Sequence, residues 1–401
     1  MVKDFESKIS EKMKGVKASA IREIFKVAGK PDVISFAGGL PAPESFPVDA
    51  IKNICADILD TDPVTALQYG ISEGYMPLRE AIWERLTTKF DIKRESNELM
   101  VVSGSQQGMD LTAKVLLNEG DGVICEEPSF IGSLNTFRTY NAKLYGVPMD
   151  ENGMKMDILE KTLAENKNIK LIYTIPTFQN PSGITTTLER RKQMLEIAKK
   201  YDVIILEDNP YGELRFKGED MPTLKALDTD GRVIYVGSFS KVFSPGLRLA
   251  YVVANQGIFD KLVVGKQATD VHTNVFSQMI AYKYLTEYNI DESIAKSRDI
   301  YNHRCSFMLK CMDECFPKCV SYTRPSGGIF IWVTLPEGTD TLKLMAEAIE
   351  KKVAFVPGNT FMTDIDAPSN SFRLNYSTMP DEKIEKGIKI LGDLLKSKFE
   401  K

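Results

Sequence analysis

Between about residues 99 and 255 the chain alternates short apolar runs with stretches of helical period. The runs "LMVVSGS", "GVICEEP", "KLIYTIPT", "DVIILEDNPY", "RVIYVGSFSK" and "LAYVVA" are nearly continuous in apolar and β-branched residues. That is the pattern of strands buried on both faces. Among them Met109, Thr112, Ala113 and Leu116 form one helical stripe ahead of Gly120, and Leu188 to Lys200 form another. Strands alternating with helices predict an α/β unit with a mainly parallel sheet covered by helices on both faces.

The two ends of the chain read differently. The first 48 residues hold a short amphipathic helix, "SAIREIFKVA", and a turn-rich passage, "SFAGGLPAPESFP". A long helical stretch near 291–316 is followed by "GGIFIWVTLP", a helix around 341–352, "VAFVPGNTF", "SFRLNYS" and a final helix. This layout predicts a smaller α+β domain built from both termini. Residues 1–48 would be its N-terminal segment, 49–294 the large domain and 295–401 the rest of the small one. No internal repeat or low-complexity linker interrupts the pattern.

Composition narrows the partners. Lys and Arg total 51 against 55 Asp and Glu, so no electrostatic footprint of a nucleic-acid binder is present. Small molecules or copies of the same chain are the expected partners. The start, "MVKDFESKISEKMKG", lacks the apolar run of a secretory signal, and no stretch has the length of a membrane span. A cytoplasmic location is therefore expected. Cys311, Cys315 and Cys319 recur at intervals of four, but Phe316 and Pro317 interrupt the series, which reads as core cysteine. With only His272 and His303, a multi-histidine metal site is excluded and no metal is expected. Acid-base work falls to Lys, Tyr, Asp or a cofactor.

Ligands of open parallel sheets bind beyond the carboxyl ends of the strands. After "LMVV" come Ser103, Gly104, Ser105 and Gln106, opening a helix whose free N–H groups could cup a phosphate or could be merely capped. After "LIYTIPT" comes Asn180 in a turn, "FQNPSG". Asp208 and Tyr211 follow "VIILE", and Ser238, Ser240, Lys241 and Arg248 follow "VIYVG". Each signal is modest alone, but all should land on one edge of one sheet.

A single ligand would satisfy them together. It needs a phosphate for the Ser103–Gln106 cup, Ser238 and Arg248, a basic ring nitrogen for Asp208, a phenolate oxygen for Asn180 and Tyr211, and a carbonyl for Lys241. Pyridoxal 5'-phosphate carries every one of these groups. A lysine amine condenses with its aldehyde, and a carboxylate beside the pyridine nitrogen keeps the ring an electron acceptor.

With these motifs in order, together with "ISFAGGLP", "LQYGISEGYMPLREAI", "PSGGIFIW", "VAFVPGNTF" and "FRLNYS", the chain resembles the fold-type-I pyridoxal-phosphate aminotransferases of class I/II. "AIRE" and "GSQQG" are similar to the branch of 2-aminoadipate, kynurenine and other broad-specificity enzymes. The resemblance implies a large domain with a seven-stranded-type sheet, a smaller domain from both termini, and a homodimer with shared active sites. It implies that Lys241 holds the cofactor as a Schiff base and shuttles the proton at the substrate α-carbon. Asp208 would pair with the ring nitrogen, and Asn180 and Tyr211 with the ring oxygen. Ser105, Gln106, Ser238 and Arg248 would hold the phosphate, with Ser240 in the same loop and Tyr69 reaching across from the neighbouring subunit. Phe130 would stack on the ring. The family most often has Tyr there, so the stacking surface stays and a hydroxyl is lost.

For substrate, the resemblance places Arg373 on the α-carboxylate with Asn180 and Gly39 nearby, and Arg22 of "AIRE" at the distal end. On the residues alone Arg22 is an ordinary polar-face residue. The expected reaction moves an amino group from an acidic or aromatic L-amino acid to a 2-oxo acid, 2-oxoglutarate above all, in ping-pong order through pyridoxamine phosphate. A carbon–sulfur β-lyase on the same fold is the alternative. Ser238–Lys241 also fits S-x-x-K, but the S-D-N and K-T-G partners of that serine chemistry are absent. A transcription regulator of this fold needs an additional DNA-binding module, and here the family motifs begin by about residue 35.

Overall fold

The computed structural model describes residues 5–14 and 32–400. The amphipathic "SAIREIFKVA" segment and Arg22 lie outside the described residues.

Strand β1 (Ile34–Ser35) precedes the main sheet. That sheet is formed by β2 (Asn97–Val102), β3 (Gly122–Glu127), β4 (Lys143–Asp150), β5 (Gly153–Met154), β6 (Ile169–Thr174), β7 (Ile204–Asn209), β8 (Val233–Ser238) and β9 (Ala250–Asn255). Its order is β2-β9-β8-β7-β6-β3-β4-β5. The pairs from β8 through β7, β6 and β3 to β4 are parallel; β9 is antiparallel to both β8 and β2, and the two-residue β5 folds back on β4. The sheet is therefore mainly parallel, as its apolar runs require.

Side chains alternate between the faces, and each face feeds a separate core. Met100, Val102, Leu171, Tyr173, Leu206, Ile234 and Val236 pack in one cluster with helix Ser105–Leu116. Leu99, Val101, Tyr235, Tyr251 and Val253 pack on the other side with helices Val48–Thr61, Met76–Phe90 and Val275–Glu287. Ile124, Ile172 and Ile205 face helices Met156–Glu165 and Leu188–Tyr201. Met109, Thr112 and Ala113 of the first stripe are buried as its spacing predicts.

Two strands of the main sheet, β4 and the two-residue β5, are absent from the sequence expectation. In β4 only Val147 is buried, and Gly146 and Pro148 break the apolar run, so a strand near the sheet's edge leaves no continuous signature.

The rest of the chain carries β10 (Ser321–Tyr322), β11 (Phe330–Thr334), β12 (Val353–Ala354), β13 (Val356–Pro357) and β14 (Ser371–Asn375). The order β10-β11-β14-β13 makes an antiparallel sheet, while β1 pairs in parallel with β12 and ties the N-terminal segment to the C-terminal one. Helix Ile290–Cys315 packs along helix Asp381–Phe399 and buries Cys305, Met308, Cys311 and Met312. The core reading of the cysteine series needs correction beyond Cys311, since Cys315 is half-buried at the helix end and Cys319 is exposed in the following turn. We propose the three-segment division into large and small domains as the unit of description; its boundary at 294/295 falls within this helix.

Candidate active site

A cavity of about 430 Å³ opens at the carboxyl ends of the parallel strands. It is lined by Gly39, Ser105, Gln106, Phe130, Asn180, Asp208, Tyr211, Ser238, Ser240, Lys241, Arg248 and Arg373. Among the described residues, the expected Tyr69, Ser103 and Gly104 are not part of this lining. Arg22 lies outside the described residues. Tyr69 stands 83 % exposed on the surface, its ring edge-on to His272 at 5.8 Å, and does not line its own chain's cavity.

Asp208 owes its place to the end of β7. Its neighbour two back, Leu206, is in register with Tyr173 of β6, so Tyr173 and Asp208 share a face. The Tyr173 hydroxyl donates to Asp208 Oδ2 at 3.0 Å, while Oδ1 is buried with no hydrogen-bond partner. Burial pushes the Asp208 pKa from its ordinary 3.8 up to about 7, with Glu126 and Glu207 adding to the rise and Tyr173 opposing it. An orphaned buried carboxylate oxygen aimed into a cavity calls for a cationic N–H donor. A protonated ring nitrogen is such a donor.

This has a measurable cost to the chain without cofactor. Raised above its unfolded value, the Asp208 carboxyl binds its proton more tightly when folded, so stability falls as pH rises from about 4 to about 7. A shift from 3.8 to about 7 corresponds to roughly 4 kcal/mol at full ionisation. Asp208→Asn should remove that slope. In urea unfolding of the cofactor-free proteins, the variant's advantage over wild type is expected to grow across this window; a constant difference between pH 4 and pH 7 contradicts it.

The anion end of the cavity is built at helix Ser105–Leu116. Its N-cap, Gly104, offers no side chain, so the first-turn N–H groups are left for a ligand. Gly104 has φ +84°, and a Cβ there would lie 2.1 Å from Arg248 Nη2, so only glycine lets the guanidinium lie across the helix start. Ser238 Oγ accepts from the Ser240 N–H at 3.1 Å and shapes the turn that carries Lys241. Ser103 departs from the expected cup. Its hydroxyl bonds Asp270 at 3.0 Å and Thr273 at 3.2 Å instead. The Gln106 side chain donates to Gly132 O at 2.9 Å and Thr136 Oγ1 at 2.5 Å, holding helix Ile131–Thr139 against the cup.

Lys241 Nζ donates to Gly39 O at 2.5 Å. Burial first, then Arg373 and Arg248, lower its pKa to about 8, so a substantial neutral fraction exists near neutral pH. Arg373, on β14, is buried. Its Nη1 donates to Asn180 Oδ1 at 2.8 Å, its Nη2 to Ala37 O at 2.7 Å, and its Nε is buried without a partner. The guanidinium lies 4.1 Å from the Phe330 ring centroid and 5.0 Å from that of Phe361. Burial lowers its pKa to about 10, which still leaves it a cation. Burial also raises the Tyr211 phenol, against the pull of Arg373 and a hydrogen bond with Asn180.

Among the described residues, Lys241, Arg248 and Arg373 thus share one cavity with a single carboxylate, Asp208. A phosphate at one end and a carboxylate-bearing substrate at the other would balance that excess.

Two supporting residues escaped the sequence reading. Tyr173 sits inside an apolar run, where a tyrosine looks like core. Glu126 is fully buried and receives Thr174 Oγ1 at 2.5 Å, the Ile175 N–H at 3.2 Å and Gln179 Nε2 at 3.1 Å. Gln179 Oε1 in turn accepts from the Ser182 N–H at 2.8 Å, which pins the turn carrying Asn180. A charged pair inside "GVICEEP" was the available signal.

A phosphate cup, a buried amine and an orphaned carboxylate at parallel strand ends define an enzyme that uses pyridoxal phosphate. The chain belongs to the aminotransferase class I and II family, whose model matches residues 32–391. It is 45 % identical over 99 % of its length, and 96 % of the relative's, to aromatic-amino-acid aminotransferase 1 of Thermococcus litoralis. It superposes on the structure of Pyrococcus horikoshii kynurenine aminotransferase in complex with PMP with a TM-score of 0.96 and 42 % identity, covering 99 % of both chains. It is also similar to the α-aminoadipate aminotransferase of Thermus thermophilus complexed with N-(5'-phosphopyridoxyl)-L-leucine, with a TM-score of 0.90, 38 % identity and 98 % of both chains covered.

Proposed function

We propose that this aminotransferase moves the amino group of an aromatic or acidic L-amino acid, 2-aminoadipate and glutamate among the latter, to a 2-oxo acid, with 2-oxoglutarate as acceptor, in ping-pong order. The observation that carries the site assignment is that Lys241 lines the same cavity as Asp208, whose Oδ1 is buried without a partner. When bound, the cofactor supplies an electron sink that lets the substrate α-carbon release its proton. Lys241 would take the proton from the substrate α-carbon and later give it up again, a task suited to an amine whose pKa lies near 8. Asp208 holds the ring nitrogen protonated, and Asn180 and Tyr211 fix the ring oxygen. Ser105, Gln106, Ser238, Ser240 and Arg248 secure the phosphate, and Phe130 covers the ring. Arg373 orients the α-carboxylate beside Asn180 and Gly39, directing cleavage to the C–H bond.

The donor classes follow the relatives, which act on aromatic amino acids, kynurenine and aminoadipate by name. Arg22 is proposed at the distal end of the substrate. The carbon–sulfur lyase alternative finds no support among the relatives.

Two copies of the chain are proposed to share their active sites. Val64, Leu67 and Tyr69 are 74, 75 and 83 % exposed, and Ile71, Met76 and Val271 are about half exposed, an apolar surface of the kind a partner covers. In such a dimer Tyr69 would reach the partner's phosphate cup. Among the described residues no helix is long and apolar enough to cross a membrane; we propose a cytoplasmic location.

The test is the visible absorption of the holoenzyme mixed with one amino acid and no oxo acid. Stoichiometric loss of the yellow band with an aromatic amino acid or 2-aminoadipate, and recovery on adding 2-oxoglutarate, is expected. A band that persists while ammonia and pyruvate appear from a cysteine-type substrate overturns the reading.

A further inference from the structure

Asp208 and Asn209 are adjacent on β7 and face opposite sides of the sheet. Asp208 lines the cofactor cavity, whereas Asn209 lines a second cavity of about 410 Å³. The last turn of helix Met76–Phe90, segment 209–223 and the first turns of helix Ile290–Cys315 enclose it.

Most charges around this cavity are matched to one another. Arg85 pairs with Glu213 and Asp291, Lys89 Nζ lies 2.8 Å from Asp291, and Arg215 Nε lies 3.2 Å from Asp220. What is left over has a definite chemistry. Arg215 has a side chain only 9 % exposed, yet its Nη2 is buried without a hydrogen-bond partner. Arg298 gives Nε to Glu213 O at 2.7 Å, and its two Nη groups have no partner among the described residues. Asn209 gives Nδ2 to Tyr235 at 3.0 Å, and its Oδ1 is buried and unpaired. Burial, and after it the charge of Arg298, holds the Arg215 pKa below its ordinary value, against the pull of Asp220.

Buried donors and acceptors are nearly always matched, and a cavity of this size can bring the match from outside. Asp220 already holds Arg215 Nε and Asp91 also lines the cavity, so what remains open is the Nη2 donor of Arg215 and the Nη donors of Arg298, which a planar carboxylate fits. The lone acceptor, Asn209 Oδ1, needs a donor.

We propose that this cavity binds a small carboxylate with a hydrogen-bond donor on the adjacent carbon, the chemistry shared by 2-amino and 2-hydroxy acids. The carboxylate lies between Arg215 and Arg298, and the donor meets Asn209 Oδ1. This site is separate from the Arg373 site and does not depend on the catalytic reading.

The experiment titrates the holoenzyme by calorimetry with L-lactate and with 2-aminoisobutyrate, neither of which has both the amine and the α-hydrogen that transamination needs. At least one probe is expected to fill two sites per chain, and which one does so separates hydroxy from amino acids. Arg215→Met and Arg298→Gln should each weaken one of these sites by at least about tenfold and leave the other unchanged. Arg373→Leu should show the reverse pattern. Propionate, which lacks the donor, should fill the second site about tenfold more weakly than the better probe. Should Arg215→Met not fold, the half-buried Arg298 carries the same test alone. The absence, for both probes, of any site weakened by Arg215→Met and Arg298→Gln and kept in Arg373→Leu overturns the proposal. Equal binding of propionate overturns the part assigned to Asn209.

Discussion

Lys241→Ala is expected to lower turnover by about four orders of magnitude or more while the protein still folds. The residue sits in the turn after β8, and among the described residues its ammonium makes one hydrogen bond, to Gly39 O at 2.5 Å. Its removal would take away both the proposed nucleophile and the group proposed to move the proton, each of which contributes large factors on its own. Rapid-mixing spectra with a single amino acid would check this, with the melting temperature and the far-UV spectrum as controls. Added methylamine should restore part of the lost rate, because an amine in solution can replace the missing base without its positioning. A variant with wild-type single-turnover rates would remove Lys241 from the centre of the mechanism.

Arg373→Leu should act on a different quantity. We expect kcat/KM for the amino donor to fall about a thousandfold, in keeping with the 2–5 kcal/mol typical of a buried, hydrogen-bonded charge contact. The loss is large because the change also strips Asn180 Oδ1 and Ala37 O of their donors. The yellow colour of the bound cofactor should persist, since of the proposed cofactor contacts the change reaches only Asn180. Measuring kcat/KM for matched amino acids and amines separates the causes. An amine lacking the carboxylate should lose little in the variant, whereas equal losses for both would point to a collapsed site.

The buried carboxylates Glu126 and Asp208 differ in a way that bears on function. Burial raises the pKa of each. Glu126 has three donors from its own chain and serves the turn that holds Asn180. Asp208 has one donor and one free oxygen. Satisfied buried groups build a scaffold, and the unsatisfied one is where a ligand is needed.

The sheet was legible because its inner strands are buried on both faces, which forces unbroken apolar runs. The polar residue that ends such a run must lie at the sheet's edge, and this made Asp208, Lys241 and the Ser105 helix start readable as a group. The sequence did not reveal β4, whose Gly146 and Pro148 are tolerable where only one side is enclosed. It also could not assign Tyr173, because a tyrosine in an apolar run looks the same whether it is core or a hydrogen-bond donor. Resemblance to a family, more than period or spacing, brought Arg373 to the site. Its partners Asn180 and Ala37 lie 193 and 336 residues away along the chain.

Local pattern thus determined which segments are strands and helices and which residues terminate them, because burial and backbone geometry act within a few residues. Only the tertiary structure decided which buried polar atoms are satisfied. That difference separates Asp208 from Glu126, turns Ser103 toward Asp270, and leaves Arg215 Nη2 and Asn209 Oδ1 unmatched beside a second cavity, since hydrogen-bond partners are brought together by the packing of distant segments.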